Sequence, residues 1–157
     1  MGLDTFVMKA KSKEDFVNGN YVEVGYWRKC YGVDSILGQM VAEDIEDYVG
    51  IIDVDKLRDF AREVDEKIER ILALCRRYKA FPYSEVYSIN DLEALDIDFS
   101  EEDMEQLYRS ICSIAEEEFA DRTIWGPITT LRITQDCMAK IFSDLEDDDI
   151  LVWISSF

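Results

Sequence analysis

The segment Val22-Glu23-Val24-Gly25-Tyr26-Trp27-Arg28-Lys29 sets two aromatics beside two cations in a chain that is otherwise strongly acidic. A guanidinium stacked on an aromatic ring, with an ammonium next to it, can hold a phosphate or a carboxylate. A helix starting at that point would add backbone donors. Tyr26, Trp27, Arg28 and Lys29 are therefore a candidate site for an anionic small ligand or a nucleotide. The same residues have a plain structural reading: Tyr26 and Trp27 anchor a strand-to-helix junction, and Arg28 and Lys29 pair with nearby acids.

Carboxylates form the second group. Lys and Arg number 17 against 35 Asp and Glu, a net charge of −18. The excess is segregated. Residues 1–30 hold five cations and four anions, whereas residues 91–121 hold twelve acids and one base, Arg109. Glu101, Glu102, Asp103 and Glu105 suit the positive end of a helix. Glu116, Glu117, Glu118 and Asp121 form a second cluster, and Asp144, Glu146, Asp147, Asp148 and Asp149 a third. The last two fall near the expected C-terminal ends of helices, where negative charge meets the negative pole of the helix dipole at a cost of about 0.3–1 kcal/mol each. Acids kept in such places suit attraction of a basic surface, and these thirteen residues are the candidate partner-binding set.

Other chemistries find little support. Asp96-x-Asp98-x-Ser100 begins like a calcium loop, but Glu101 stands where the glycine belongs and Leu107 where the bidentate glutamate belongs. Paired carboxylates catalyse hydrolysis only in a pocket that splits their pKa values, and no motif marks one. The absence of histidine removes Ser-His and Cys-His dyads and imidazole-based zinc sites. No catalytic residue, metal or cofactor is expected. Cys30, Cys75, Cys112 and Cys137 are widely spaced and read as reduced thiols of a cytoplasmic protein. No run of 18 apolar residues could span a membrane, and the N-terminus lacks a secretory pattern. Met1-Gly2 resembles a myristoylation start, but Phe6 stands where Ser or Thr is needed. The charge repels nucleic acid and anionic membranes alike.

The elements that must position these groups follow from periodicity. At 157 residues one domain is expected, 1–157. Residues 3–9 read as a strand, with Lys9, Lys11 and Lys13 in a polar connection. Asn18-Gly19-Asn20 signals a turn, and Tyr21–Tyr26 alternates with Val22, Val24 and Tyr26 on one face. Trp27, Tyr31, Ile36, Leu37, Met40 and Val41 fit a helix weakened by Gly32 and Gly38, with Asp34 capping its second half. Residues 48–54 suggest a short strand. From Asp53 or Asp55, Leu57, Phe60, Ala61, Val64, Ile68, Ile71, Leu72, Cys75 and Tyr78 form one stripe of a long helix ended by Phe81-Pro82, with Glu63–Lys67 as a pair on its wet side. Residues 83–99 read as a connection. Two further helices follow, one after Ser100 and one over 130–145, and Ile150–Ile154 is a last strand. The fold class is α+β: a small, mainly antiparallel sheet from both chain ends with three or four helices packed on one face.

Gly2-Leu3-Asp4-Thr5-Phe6 and Glu23-Val24-Gly25-Tyr26-Trp27-Arg28-Lys29 resemble small phage- and prophage-encoded proteins that begin Gly-Leu-Asp and later carry a Gly-Tyr-Trp-Arg-Lys segment at a helix start. The resemblance covers about the first 30 residues. Those proteins continue Ala-Asn-x-Ile-His where this chain has Cys30-Tyr31-Gly32-Val33-Asp34. The resemblance implies a phage or mobile-element origin and no particular chemistry. Charge and resemblance together lead to the expectation of a non-enzymatic inhibitor, of the anti-restriction, anti-CRISPR or polymerase-inhibitor type. Its acids would bind a basic, nucleic-acid-binding host protein by imitating a DNA backbone. A small-ligand protein or enzyme using the Tyr26–Lys29 corner is the alternative.

Overall fold

The computed structural model describes residues 2–77 and 101–157. In chain order they form β1 (Asp4–Ala10), α1 (Lys13–Val17), β2 (Val22–Arg28), α2 (Tyr31–Gln39), β3 (Val41–Glu46), β4 (Val49–Ile52), α3 (Val54–Arg77), α4 (Glu101–Ala115), α5 (Glu117–Ala120), α6 (Pro127–Ser143) and β5 (Ile150–Ser156). The strands make one sheet in the order β2-β1-β5-β4-β3, every neighbouring pair antiparallel. The fold is α+β, and the two chain ends supply its central strands, β1 and β5. The expected end of the long helix at Phe81-Pro82, the connection at 83–99 and the Asp96–Ser100 segment lie outside the described residues.

Pleating gives the sheet two different faces. Thr5, Val7, Trp27, Leu151, Trp153 and Ser155 point to the helices. Leu57, Phe60, Val64, Ile68, Ile71 and Cys75 meet them from α3, Leu107 and Ile111 from α4, and Leu131, Met138 and Ile141 from α6. The predicted stripe of α3 is thus the core-facing stripe. Asp53 caps this helix, its Oδ1 accepting from the Asp55 and Lys56 amides at 3.0 and 3.3 Å. Pro127 opens α6 behind Gly126, whose φ of 84° favours glycine.

Several expectations change around the early strands. Trp27 and Arg28 do not start a helix: they end β2, and Lys29, at φ 53°, turns the chain toward Tyr31. A bulge opposite Val7 and Met8 breaks the alternation, so Val24 is buried whereas Val22 and Tyr26 are exposed. Of the helix expected over Trp27–Val41 only α2 forms, and Val41 opens the unforeseen edge strand β3. The polar connection contains α1, capped by Ser12. Asp34 lies in the first turn of α2 and caps nothing. Its Oδ1 accepts from Thr5 Oγ1 (2.8 Å) and Trp153 Nε1 (3.1 Å), and its Oδ2 from Ser155 Oγ (3.1 Å). That carboxylate ties α2 to both central strands.

Four cysteines are free, with Cys30 and Cys75 buried. Among the described residues no helix is long and apolar enough to cross a membrane.

Candidate partner-binding groove

The Tyr26–Lys29 tetrad does not converge. Trp27 is in the core, 1% exposed, its indole donating to Thr134 Oγ1 at 3.1 Å. Tyr26 points to the opposite face and donates to Asp4 Oδ1 at 3.0 Å. Arg28 is exposed, and the stem of Lys29 lies against Gly2. Trp125 reaches the same corner and donates its indole N–H to the Arg28 carbonyl at 2.7 Å. The arrangement is that of a structural junction.

The thirteen candidate acids fall in three places. Glu101 opens α4, and Glu102, Asp103 and Glu105 are exposed along its first turns, Glu105 lying 3.9 Å from Arg109. Glu116, Glu117, Glu118 and Asp121 surround α5, about 20 Å further along the axis of α4. Asp144, Glu146, Asp147, Asp148 and Asp149 follow α6, whose 17 residues separate them from the α5 cluster by roughly 25 Å.

Both runs expected to oppose a helix dipole are compensated by lysines. Lys11 Nζ sits 2.6, 3.5 and 2.8 Å from carboxylate oxygens of Glu146, Asp148 and Asp149, and Lys9 donates to the Asp144 carbonyl at 3.4 Å. The three carboxylates lie within 4.8 Å of one another, and the ammonium occupies the position a cation would take between them. The buried Oδ1 of Asp149 faces this ammonium. Lys11, held first by Asp149 and then by Glu146, is shifted well above the ordinary lysine range, and Lys11 in turn lowers Asp149.

The second lysine changes the α5 cluster. Lys67 does not pair with Glu63 on its own helix. Its side chain is 14% exposed, and the ammonium donates to the Ile114 carbonyl at 3.1 Å and to Glu116 Oε1 at 2.9 Å. It thereby satisfies the C-terminal end of α4, whose bare carbonyls need a donor more than Glu63 needs a counter-ion. The same ammonium lowers the Glu116 pKa. Glu116 has φ 68° and ψ 171°, a conformation normally reserved for glycine that costs about 1–3 kcal/mol. Lys67→Met should therefore lower stability by about 1–3 kcal/mol through the orphaned carbonyl, read by thermal melting.

Around that strained turn lies a groove of about 440 Å³ between α2, α3 and α5. Ile36, Met40, Phe60, Ala115 and Phe119 supply its apolar lining, and the Phe60 and Phe119 rings stack with centroids 6.0 Å apart. Asp59, Glu63, Glu116 and Glu118 supply carboxylates, against Lys56 and Lys67. Asp59 is paired with Arg62 at 3.0 Å, and Glu116 with Lys67. Glu63 and Glu118 have no ion pair among the described residues. A larger depression between α3 and α6, about 510 Å³, is bridged by the Gln135 amide donating to Asp65 Oδ1 at 2.9 Å.

Sequence reasoning placed Glu116 and Glu118 in the candidate set and missed Asp59 and Glu63. The signal was the i,i+4 spacing of those two acids beside Phe60. Burial raises the pKa values of the Cys30, Cys75 and Cys137 thiols, away from nucleophilic thiolates. The chain matches no protein-family model, no curated protein and no solved structure.

Proposed function

We propose that this chain is a non-enzymatic acidic binding protein of a phage or other mobile element, and that it docks on the basic, nucleic-acid-binding surface of a host protein and inhibits it. The observation that carries the reading is the groove: four carboxylates from α3 and the α5 turn around an apolar floor whose accessible part is the half-buried Ile36 and Met40, backed by the core rings of Phe60 and Phe119. Its chemistry fits a cationic segment that also presents one apolar side chain. The apolar side chain fills the floor and supplies affinity, and the charges supply orientation and a fast encounter. Along α3, Asp55, Asp59, Glu63 and Glu66 continue the carboxylates at spacings of three and four, on one side of the helix. Such a row approximates the field of a phosphate backbone, as DNA mimicry requires. The resemblance of the N-terminal segments to phage-encoded proteins supplies the host setting. Glu146, Asp148 and Asp149 share the Lys11 ammonium, and the groove differs from them in setting its carboxylates beside an apolar floor.

The test uses a synthetic helical peptide carrying arginines around one leucine, titrated calorimetrically at about 0.1 M and about 1 M salt, between which the Debye length falls from roughly 10 to 3 Å. Binding should weaken steeply with salt. Replacing Glu63 and Glu118 together by lysine should reduce it about tenfold or more, since the new charges repel the peptide. Equal binding by this variant and the native chain would refute the groove as the docking site.

A further inference from the structure

The face of the sheet turned away from α2, α3, α4 and α6 carries a continuous apolar row. Tyr26 is registered against Phe6, Phe6 against Ile154, and Ile154 against Val49, so the row crosses four strands. The Phe6 and Tyr26 rings lie 5.1 Å apart. At the end of the row the Tyr48 ring meets Phe157 edge-on at 5.0 Å. Tyr26, Tyr48 and Phe157 are 40%, 57% and 67% exposed, values that mark them as uncovered aromatics. Toward the opposite end of the strands α1 reaches across, with Lys13 Nζ 2.8 Å from Glu43 on β3, and there Val152 is fully buried. The bare part is therefore the Phe6–Ile154 half of this face.

We infer that this half-face is a self-association surface, on which a second copy of the chain packs sheet to sheet. The occupant follows from charge. The β2 side of the row is flanked by Arg28 and Lys29, and the far side by Glu46 and Asp47 at the β3–β4 turn. A two-fold axis along the strands lays the cationic flank of one copy over the acidic flank of the other, twice, with the aromatic rows between them. Sheets packed in this way lie about 10 Å apart with strands within roughly 30°. Edge-to-edge pairing is disfavoured at both sides. The Tyr26 and Arg28 carbonyls of β2 are met by the Cys137 thiol and the Trp125 indole, and β3 presents Glu43, Asp44 and Glu46, which repel a copy of themselves. The cation-binding groove lies on the helical side of the molecule, so this surface is separate from it.

The two surfaces respond oppositely to salt, which keeps their tests distinguishable. Peptide docking in the groove weakens as salt rises. Self-association buries an apolar face while bringing together two chains of charge −18, so screening their repulsion strengthens it. Sedimentation velocity of the intact chain over a hundredfold range of concentration, at about 0.1 M and about 1 M salt, should show a concentration-dependent dimer that is several-fold tighter at the higher salt. Tyr48→Asp and Phe157→Asp should each weaken the dimer about tenfold or more by placing a carboxylate in the apolar contact. Both positions are exposed, and aspartate tolerates the left-handed backbone of Tyr48 (φ 63°), so thermal melting should confirm that both variants fold. A chain that stays monomeric throughout both series overturns the inference. So does a dimer equally tight in both variants, which would use another surface, or a loss of arginine-peptide binding in these variants, which would assign the face to the basic partner.

Discussion

Asp34→Ala is expected to destabilise the protein by about 3–5 kcal/mol, a large part of the roughly 5–15 kcal/mol that holds a domain folded. Three donors on three residues, Thr5, Trp153 and Ser155, converge on one carboxylate. Thr5 is fully buried and Ser155 is 6% exposed, so neither hydroxyl can turn to water when the acceptor goes. Each lost bond to a charged acceptor is worth about 1.5–3 kcal/mol, and the sum is reduced because the three share one acceptor group. The melting temperature should fall by roughly 10 °C or more. Asp34→Asn should fall between the two, since its amide oxygen still accepts while its nitrogen does not. The effect reaches function through α2, which this carboxylate holds on the sheet and which supplies Ile36 and Met40 to the groove. An Asp34→Ala protein melting with the native chain would show that the three contacts are not formed.

Gly32→Ala opposes two effects, and geometry decides between them. Alanine is the better helix former by up to about 1 kcal/mol. A Cβ at this position, however, would lie 2.0 Å from the carbonyl oxygen of Glu118. That atom is backbone, so no side chain can swing aside, and the Gly32 amide is bound to the Arg122 carbonyl at 3.0 Å on the same approach. Either α2 or α5 must move. Overpacking of this kind costs about 1–3 kcal/mol and sometimes more, which outweighs the helical gain. Peptide binding should suffer further, because displacing α5 carries Glu118 and Phe119 away from the facing Glu63 and Phe60. A Gly32→Ala variant as stable as the native chain and binding equally well would contradict the close approach of α2 and α5.

Much of this architecture was legible because it is periodic. The Leu57–Cys75 stripe needs only the helical repeat, and Ile150–Ile154 is β-branched and apolar enough to mark a strand. What escaped was set by single residues or by distant segments. Tyr31 follows Trp27 at helical spacing, so the left-handed turn at Lys29 was invisible and β2 was ended too early. The Val24 bulge moved Tyr26 to the open face, a change that one extra residue makes and periodicity cannot show. Lys67 stands four residues after Glu63, and local reasoning paired them. Only the packing of α4 against α3 offers Lys67 the bare Ile114 carbonyl. For the same reason the acids could be counted but not grouped. Glu116 and Glu118 become neighbours of Asp59 and Glu63 through the meeting of α5 with α2 and α3.

The docking site proposed for a cationic segment with an apolar anchor is the α2–α3–α5 groove. The most direct measurement is a titration of the isotopically labelled chain with the arginine-rich peptide, followed by amide and methyl chemical shifts. The predicted result is a set of shifts centred on Ile36, Met40, Phe60, Glu63, Ala115 and Phe119, fading as salt is raised. Shifts spread evenly over the acidic surface, or gathered at Asp144–Asp149 with the groove silent, would contradict it.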